Sequence, residues 1–487
     1  MSRYEDLVMA AEPASYWLAG APPPRDPLTM GTTCDLAVIG GGFSGLWTAL
    51  LAKERDPDRT VLLLEGNRVG WAASGRNGGF CEASLTHGET NGRERFPAEF
   101  EALQRLGAEN LGAIEATVRK YGIDCDFERT GQLRVATEEY QVDDLRAAFD
   151  WPEPTATAAE GQFFDTRAIR AEVNSPTYLA GLWDKQGCAM LHPAKLAWGL
   201  ADVAARLGVR IHEKTPVTGL TSTSAGVSVH TRDGHLVHAR QVALGTNAFP
   251  PLIRRLGPYT VPVYDYVLVT EPLSAMQLAS IGWRNRQGIG DSGNQFHYCR
   301  LTADNRILFG GYDAIYHFGR AIRSSYDQRP ATFVKLAEHF FETFPQLEGL
   351  SFTHRWGGAI DTCSRFCAFF GTACRGKVAY ALGYTGLGVG ATRFGARVML
   401  DLLSGKQTEL TTLNMVRSKP IPFPPEPLAY LGVQATRWSL ARADRNNGTR
   451  NLWLRALDAA GMGYDSLFLG GENHTPQTPR LPVVARR

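Results

Sequence analysis

Short runs of apolar residues alternate along the chain with longer stretches in which apolar positions recur at helical spacing. The clearest unit begins with the apolar run 36–39, which is typical of a strand buried on both faces. An apolar helix from about Leu46 follows, and a second apolar run, 61–64, ends at Glu65. This pattern predicts a strand–helix–strand unit over residues 35–65.

The same two periods predict elements along the rest of the chain. Because predicted strands interrupt the first unit's domain repeatedly, we expect a second domain to be inserted into it rather than appended. Helices are predicted over 98–121, 138–149, 331–344 and 394–403, from His192 onward, and near 430–445. Strands are predicted at 132–136, 209–212, 227–231, 236–240, 241–247, 261–270, 295–301, 306–311 and 378–382.

Three glycines follow the first apolar run in G-x-G-x-x-G spacing. Gly40 permits a tight turn, Gly42 lets the backbone approach a pyrophosphate, and Gly45 lets helix and strand pack closely. The helix N-terminus then offers free N–H groups to the phosphates. Glu65 would accept a hydrogen bond from a ribose hydroxyl and would disfavour a 2′-phosphate, so NADP is not expected. The motif predicts a dinucleotide site without naming the dinucleotide.

Composition narrows the class of protein. A chain of 487 residues with 44% hydrophobic and 21% charged residues predicts a folded protein of two domains. A net charge of +2 gives no reason to expect a nucleic-acid partner. The eight cysteines lack zinc-type spacing, so we expect no metal site and free thiols in a reducing cytoplasm. Neither a signal peptide nor a membrane span is predicted.

Two further motifs carry a family resemblance. Residues 70–79 read GWAASGRNGG, and residues 383–389 read GYTGLGV. Together with the dinucleotide motif, and with shorter matches in order across roughly residues 15–425, they resemble the FAD-dependent D-amino-acid oxidase superfamily. The ASGRNGG version is similar to gamma-glutamylputrescine oxidase-like amine oxidases.

This resemblance implies an α/β fold: a glutathione-reductase-like FAD domain with an inserted α+β substrate domain built on an antiparallel sheet. The FAD domain would comprise 34–97, 185–250 and 355–418, and the substrate domain 98–184 and 251–354. A proline-rich arm, 1–33, would precede them, and an extension, 419–487, would follow.

The resemblance also implies which residues bind FAD. The adenosine half would lie at the first glycine motif, and the flavin would lie at the loop 74–79, where glycines allow close backbone approach. The last helix would point its N-terminus at the flavin and favour its reduction. The predicted FAD-binding residues are Gly40, Gly42, Phe43, Ser44, Gly45, Glu65, Gly66, Ser74, Arg76, Asn77, Gly78, Gly79, Val217, Thr246, Asn247, Gly386, Leu387, Gly388 and Val389.

Three departures from the family pattern bear on chemistry. Leu387 stands where the family usually has a histidine. No thiol lies at 356–358, where sarcosine oxidases attach FAD through cysteine, so non-covalent FAD is expected, with Cys363 the nearest thiol. The Arg and Lys that hold a substrate carboxylate in those enzymes fall near Ser84 and Gly390, so an amine is a better substrate prediction than a small amino acid.

The predicted reaction is oxidation of a primary or secondary amine to an imine, hydrolysed to an aldehyde plus an amine or ammonia, while O₂ becomes H₂O₂. Aromatic walls would orient the substrate and disfavour a bare ammonium. On the predicted strand 261–270, alternation places Tyr264 and Tyr266 on one face, which we expect to meet the flavin. Tyr266, Tyr298, Arg306 and His297 are the predicted catalytic residues. Each also has a structural interpretation: the tyrosines as half-buried sheet residues, and Arg306 as the partner of Asp304 in a turn.

Two other functions stay open from the sequence. A dehydrogenase on the same fold would pass electrons from an amino acid or amine to a carrier, and a non-catalytic flavin subunit would not react with amines. For the oxidase, the expected partners are a small amine and O₂, without nucleic acid or membrane, in a cytoplasmic monomer or homodimer.

Overall fold

Two large β-sheets organise the chain. The computed structural model describes residues 3–150 and 161–463. The strands in these ranges are β1 Thr32–Ile39, β2 Val61–Leu64, β3 Phe80–Glu82, β4 Gln132–Ala136, β5 Gln162–Phe164, β6 Ala180–Asp184, β7 Cys188–Met190, β8 Arg210–His212, β9 Val217–Ser222, β10 Val227–Thr231, β11 Leu236–Leu244, β12 Val261–Thr270, β13 Gly288–Asp291, β14 His297–Leu301, β15 Ile307–Gly311, β16 Ile315–Tyr316, β17 Phe352–Thr362, β18 Phe369–Ala373 and β19 Val378–Leu382.

Helices connect and cover these strands. Most of the predicted helices are present within a few residues of the expected bounds. The α-helices are α1 Glu5–Met9, α2 Phe43–Arg55, α3 Glu89–Arg95, α4 Phe100–Tyr121, α5 Glu139–Phe149, α6 Thr166–Glu172, α7 Pro193–Arg206, α8 Ala275–Ile281, α9 Pro330–Thr343, α10 Gly388–Ser404, α11 Glu409–Thr412, α12 Asn414–Arg417, α13 Leu428–Asp444 and α14 Leu452–Ala459.

The first sheet holds the dinucleotide motif and is mostly parallel. Its strands run in the order β18-β19-β11-β1-β2-β8, and the pairs from β19 to β8 are parallel. Strands β9 and β10 form an antiparallel hairpin against β11. One continuous β11 replaces the two strands predicted at 236–247, because its first half pairs with β10 and its second half with β19.

The second sheet is antiparallel at nearly every pair. Its order is β16-β12-β15-β14-β13-β4-β6-β5, with β17 beside β12. The exception to the predicted antiparallel pattern is β4, which runs parallel to β13. One face of this sheet packs on α9, where Phe333, Leu336 and Phe340 are fully buried.

Two predicted domain boundaries differ from this arrangement. Strand β17 pairs with β12 along its length, so the boundary expected at 354/355 falls inside a strand of the second sheet. Helix α4, expected in the substrate domain, packs with α10 and buries Leu111 and Ile114 in the core shared with α2. Helix α10 also starts six residues before the predicted 394, because its first turn is small residues without apolar periodicity.

The N-terminal arm lies across both sheets. Val8 packs in the core of the second sheet, and Glu12 pairs as a bridge with His354. Trp17 is buried, and its indole N–H donates to the carbonyl of Asn77 at 2.8 Å. The arm therefore supports the loop that follows β2.

Candidate flavin and substrate site

A large cavity of about 990 Å³ lies between the two sheets. Its walls contain the N-terminal ends of α2 and α10, the loop before β3, and one face of the second sheet. The predicted FAD-binding residues all line it except Gly45 and Gly79. The structure thus brings two neighbouring motifs near the N-terminus together with a third that lies more than 300 residues later in sequence.

Glycine is required at several walls because the backbone packs without room for a side chain. A Cβ on Gly45 would lie 1.9 Å from the carbonyl oxygen of Gly40, which explains why Gly45 closes the helix onto the strand instead of facing the cavity. Gly79 has φ of +78°, and a Cβ there would lie 2.3 Å from the carbonyl oxygen of Leu191. Both glycines lie behind the cavity wall, where the absence of a side chain lets neighbouring segments of backbone pack closely.

Two helix N-termini open on the cavity. Residues of the first turns of α2 and α10 line it. The Tyr384 hydroxyl lies 3.3 Å from the Ser44 hydroxyl, which joins the two turns. Free N–H groups and the positive end of each helix favour a pyrophosphate and an electron-rich ring edge. A long cavity with these two ends fits FAD.

Glu65 organises the loop at the nucleotide end. Its carboxylate accepts hydrogen bonds from the backbone N–H of Gly41 at 2.6 Å and of Asn67 at 2.8 Å. The indole N–H of Trp71 donates to it at 3.0 Å. Burial raises the pKa of Glu65, and these hydrogen bonds oppose the shift. The carboxylate lines the cavity, so its predicted bond to a ribose stays a prediction.

The loop 73–79 is held in shape by its own side chains and by the second sheet. The Asn77 amide donates to the carbonyl of Ala73 at 2.8 Å and accepts from the N–H of Gly79 at 2.8 Å. Arg300 reaches the loop from β14, where its guanidinium donates to the carbonyls of Gly79 and Leu191. Asn77 and Arg300 therefore fix the loop on both sides.

Arg76 ties the same loop to the far side of the second sheet. Its guanidinium forms an ion pair with Asp327 and donates to the carbonyls of Trp71 and Gly357. Its side chain also lies over the Trp71 ring, 5.6 Å from the centroid.

The cavity face of the second sheet is set by period-two alternation. On β12, Tyr264 and Tyr266 point into the core against α9, whereas Asp265 and Val267 line the cavity. On β14, Tyr298 lines the cavity and His297 faces the opposite side. The prediction that Tyr264 and Tyr266 share a face is confirmed, but that face is turned away from the cavity.

Of the four predicted catalytic residues, Tyr298 alone lines the cavity. The Tyr266 hydroxyl donates to the carbonyl of Tyr326 behind the sheet. His297 contacts His339 on α9 at 2.8 Å and Asp291 at 2.7 Å. Arg306 pairs with Asp304, as its structural interpretation predicted, and lies over Tyr16. These three side chains face other parts of the molecule because of the strand register.

The end of the cavity beyond the loop 73–79 (the flavin loop) is acidic. The sequence did not predict this acidic end. Glu82 on β3, Asp184 on β6 and Glu89 on α3 line it together with Arg134 on β4. Burial raises the pKa of Glu82 to about 7 and also raises the pKa of Asp184. The available signal was the alternation in β4, where Gln132 and Arg134 interrupt an apolar strand.

The residues at which the sequence departs from the family pattern lie in or near the cavity wall. Leu387 lines the cavity, so an apolar side chain stands beside the last motif. A Cβ on Gly390 would lie 2.1 Å from the carbonyl oxygen of Glu82, so a lysine cannot stand there without a backbone shift. Cys363 is buried outside the cavity lining, where its sulfur contacts the carbonyls of Cys367 and Gly383.

Metal-binding groups and membrane-spanning helices are absent from the described residues. Across 3–150 and 161–463, no group of His, Cys, Asp and Glu side chains could hold a metal ion. Within those ranges, no helix is both long enough and apolar enough to cross a membrane. All eight cysteines are free.

Comparison with known proteins agrees with the geometry. Gamma-glutamylputrescine oxidoreductase of Escherichia coli (strain K12) is 33% identical over 410 residues, covering 82% of this chain and 90% of that protein. A probable oxidoreductase, OrdL, of Haemophilus influenzae is 29% identical over 395 residues, 79% of this chain and 86% of that protein. Glycine oxidase of Geobacillus kaustophilus superposes with a TM-score of 0.63 at 20% identity, over 79% of this chain and 99% of that structure.

The last likeness shows the fold, and the sequence match shows the family. The DAO family, described as FAD dependent oxidoreductase, matches residues 35–402, which include all three motifs around the cavity. The cofactor is FAD. The chain therefore belongs to the DAO family of FAD-dependent oxidoreductases.

Proposed function

We propose that this protein oxidises the CH–NH bond of a primary or secondary amine to an imine, with FAD as the electron acceptor and O₂ as the final oxidant. The imine then hydrolyses to an aldehyde plus an amine or ammonia, and O₂ leaves as H₂O₂. Bound FAD supplies the two-electron chemistry of this reaction.

The observation that carries the proposal is the charge of the cavity beyond the flavin loop. Acidic side chains there outnumber basic ones, since Glu82, Glu89 and Asp184 surround Arg134. A cationic amine is attracted into such a space, and a lone carboxylate is repelled. The similarity to a gamma-glutamylputrescine oxidoreductase, whose name specifies an amine derivative, supports the same choice.

The protein's own residues bind, orient and enclose the substrate. Tyr298 and Phe80 form an aromatic wall beside Gly78, with their ring centroids 5.8 Å apart. Aromatic walls exclude water and fix the substrate's carbon–nitrogen bond in one orientation. We place Tyr298 in this wall and assign no catalytic step to Tyr266, His297 or Arg306.

FAD is proposed to be held without a covalent bond. The thiol nearest in sequence to residues 356–358, that of Cys363, is turned into the protein, away from the cavity. Unfolding the holoprotein and passing it through a size-exclusion membrane should release all of the yellow chromophore into the filtrate. Flavin that stays with the unfolded chain would contradict this assignment.

An oxygen-electrode screen tests the proposed reaction. Purified holoprotein is mixed with matched pairs of substrates: an alkylamine, and the same chain carrying an α-carboxylate. Oxygen consumption and peroxide release are expected with the free amines and weakly or not at all with the carboxylates. Preference for the carboxylate member would contradict the amine assignment. Reduction of an artificial electron carrier without oxygen uptake would instead indicate a dehydrogenase.

A further inference from the structure

Asp265 is a half-buried carboxylate on the cavity face of β12 that the predicted mechanism does not use. One carboxylate oxygen accepts the Tyr298 hydroxyl at 2.6 Å, and the other accepts the N–H of Tyr266 at 2.8 Å. The residue lines the same cavity as the flavin loop. Its orientation is therefore fixed before any substrate enters.

Tyr298 connects this carboxylate to the flavin loop. The Tyr298 ring fits between two glycines, since a Cβ on Gly78 or on Gly310 would lie 2.7 Å from its ring carbons. Glycine at both positions lets the ring pass between the loop and the sheet and brings its hydroxyl to Asp265. Burial raises the pKa of the Tyr298 hydroxyl well above its usual range, so it remains a hydrogen-bond donor.

Three other acids of the cavity are placed for different roles. Glu82 and Asp184 belong to the end near β4 and β6, and β4 lies four strands from β12, about 19 Å along the sheet. Asp361 accepts the N–H of Gly383 at 2.6 Å and supports the last motif's turn. Asp265 is the acid linked to the flavin loop through an aromatic wall residue.

Oxidation of an alkylamine requires a group in the cavity that accepts a proton from the substrate nitrogen. An alkylamine has a pKa near that of lysine, about 10.4, and therefore enters as an ammonium ion at neutral pH. The ammonium nitrogen has no lone pair to support loss of a hydride from the neighbouring carbon. A proton must therefore leave the nitrogen before the neighbouring carbon can lose a hydride.

We propose that Asp265, oriented by Tyr298, pairs with the substrate ammonium and takes up its proton before the amine is oxidised. An N–H bond of the ammonium breaks, an O–H bond forms on Asp265, and no electrons change hands. The carboxylate is regenerated when product leaves and solvent re-enters. This assignment deepens the proposed amine oxidation and rests on it.

The surroundings of Asp265 raise the pKa of its carboxyl group but leave it below neutral pH, so the group is ionised at pH 7 and can accept a proton. Burial raises its pKa to about 6, against the hydrogen bonds from Tyr298, Tyr266 and Gly311. His297, on the other face of β14, lowers it through its charge. Strand β17 presents Gly358 opposite Asp265 in the pairing register. Arg76, beyond Gly358, is committed to its ion pair with Asp327.

The test compares Asp265→Asn with Tyr298→Phe as holoenzymes, using kcat/KM for an alkylamine from about pH 5 to about pH 9. The unsubstituted enzyme should lose activity below an acid limb near pH 6, where Asp265 becomes protonated. Asp265→Asn should lack that limb and be slower at pH 7 by on the order of 100-fold. Its deficit should shrink about tenfold per pH unit upward, because free base then arrives without help.

Two controls separate proton transfer from a structural role. A fluorinated amine of low basicity enters as free base, so Asp265→Asn should oxidise it nearly as well as the unsubstituted enzyme does. Tyr298→Phe keeps the carboxylate but removes one hydrogen bond, so its acid limb should persist and move to higher pH.

A deficit of Asp265→Asn that is the same at every pH and for both amines would overturn the proposal. If that variant fails to retain flavin, an unmoved acid limb in Tyr298→Phe would overturn it equally. Failure of the unsubstituted enzyme to oxidise any amine would instead contradict the proposed function itself.

Discussion

The two ends of the cavity differ in the groups that line them, which are mainly backbone at one end and side chains at the other. The FAD end is made of backbone: glycines at close approach and the first turns of α2 and α10. The substrate end is made of side chains that project from separate strands, such as Asp265 on β12 and Arg134 on β4. A cofactor that many relatives share can be held by peptide groups, whereas substrate choice depends on side chains that can vary.

This difference predicts which property each kind of substitution should change. Changes at the FAD end should remove the flavin and with it all activity. Changes at the substrate end should leave the flavin in place and alter which amines react, and how fast.

The largest effect is expected from Gly45→Ala. Its added methyl group would lie 1.9 Å from the carbonyl oxygen of Gly40, so α2 must move away from β1. We expect loss of bound FAD, measured as the ratio of flavin to protein absorbance. Gly112→Ala is the matched control, since it lies in α4 with no atom within 4 Å of the added methyl group. It should keep its flavin and be up to about 1 kcal/mol more stable. Equal flavin content in both variants would refute a backbone-built FAD end.

Arg300→Met comes next and tests the connection between the two ends. The variant leaves the carbonyls of Gly79 and Leu191 without their charged donor. Because hydrogen bonds to a charged group are worth about 1.5–3 kcal/mol each, we expect unfolding free energy to fall by roughly 3 kcal/mol. Thermal unfolding of the holoprotein measures it. A weaker affinity for added FAD should accompany the loss, and unchanged stability would mean that the loop stands without Arg300.

Glu82→Gln addresses the substrate end through binding at equilibrium. Because the pKa of Glu82 is raised to about 7, its side chain is neutral below that pH and ionised above it. Binding of a cation without an α-hydrogen, such as tert-butylammonium, should therefore tighten as pH rises through 7. We expect the affinity for the cation to change roughly tenfold, about 1.4 kcal/mol. The perturbation of the flavin absorbance on binding measures this affinity.

In Glu82→Gln the rise through pH 7 should be lost, leaving only the dependence near pH 6 that Asp265 contributes, with flavin content unchanged. Neutral tert-butanol is the ligand control and should bind alike at every pH. A cation affinity in the variant that still rises through pH 7 would assign the effect to another group.

The smallest effect is expected from Arg306→Gln. This side chain lies outside the cavity, where it pairs with Asp304 and donates to Thr353. Exposed ion pairs contribute about 0–1 kcal/mol, so unfolding free energy should change little. Amine kinetics should agree with those of the unsubstituted enzyme within about twofold. A large loss of kcat would return Arg306 to the list of catalytic residues.

The same contrast explains what the sequence could predict. The motifs at the FAD end were visible in the sequence because their residues are contiguous. Single strands were predictable in both sheets, since β10 and β19 of the first sheet and β4 and β12 of the second match their predicted spans residue for residue. The geometric roles of Gly45 and Gly79, behind the wall instead of in it, needed the neighbouring backbone of Gly40 and Leu191.

The substrate end was largely out of reach because alternation gives two faces without saying which one meets the cavity. Tyr264 and Tyr266 were predicted to share a face, and they do, but the core under α9 takes that face. Asp265, between them, then faces the site. Likewise, the pairing of β4 with β13, which places Arg134 in the wall, joins strands about 150 residues apart and leaves no local signal.

The most direct test of amine oxidation follows the flavin itself. Holoprotein is mixed with an alkylamine in the absence of oxygen, and its visible absorbance is recorded before and after air is admitted. The account predicts bleaching by the amine, recovery of the oxidised spectrum on aeration, and one peroxide for each flavin reoxidised. A flavin that stays oxidised with every amine, yet bleaches with another class of substrate, would contradict it.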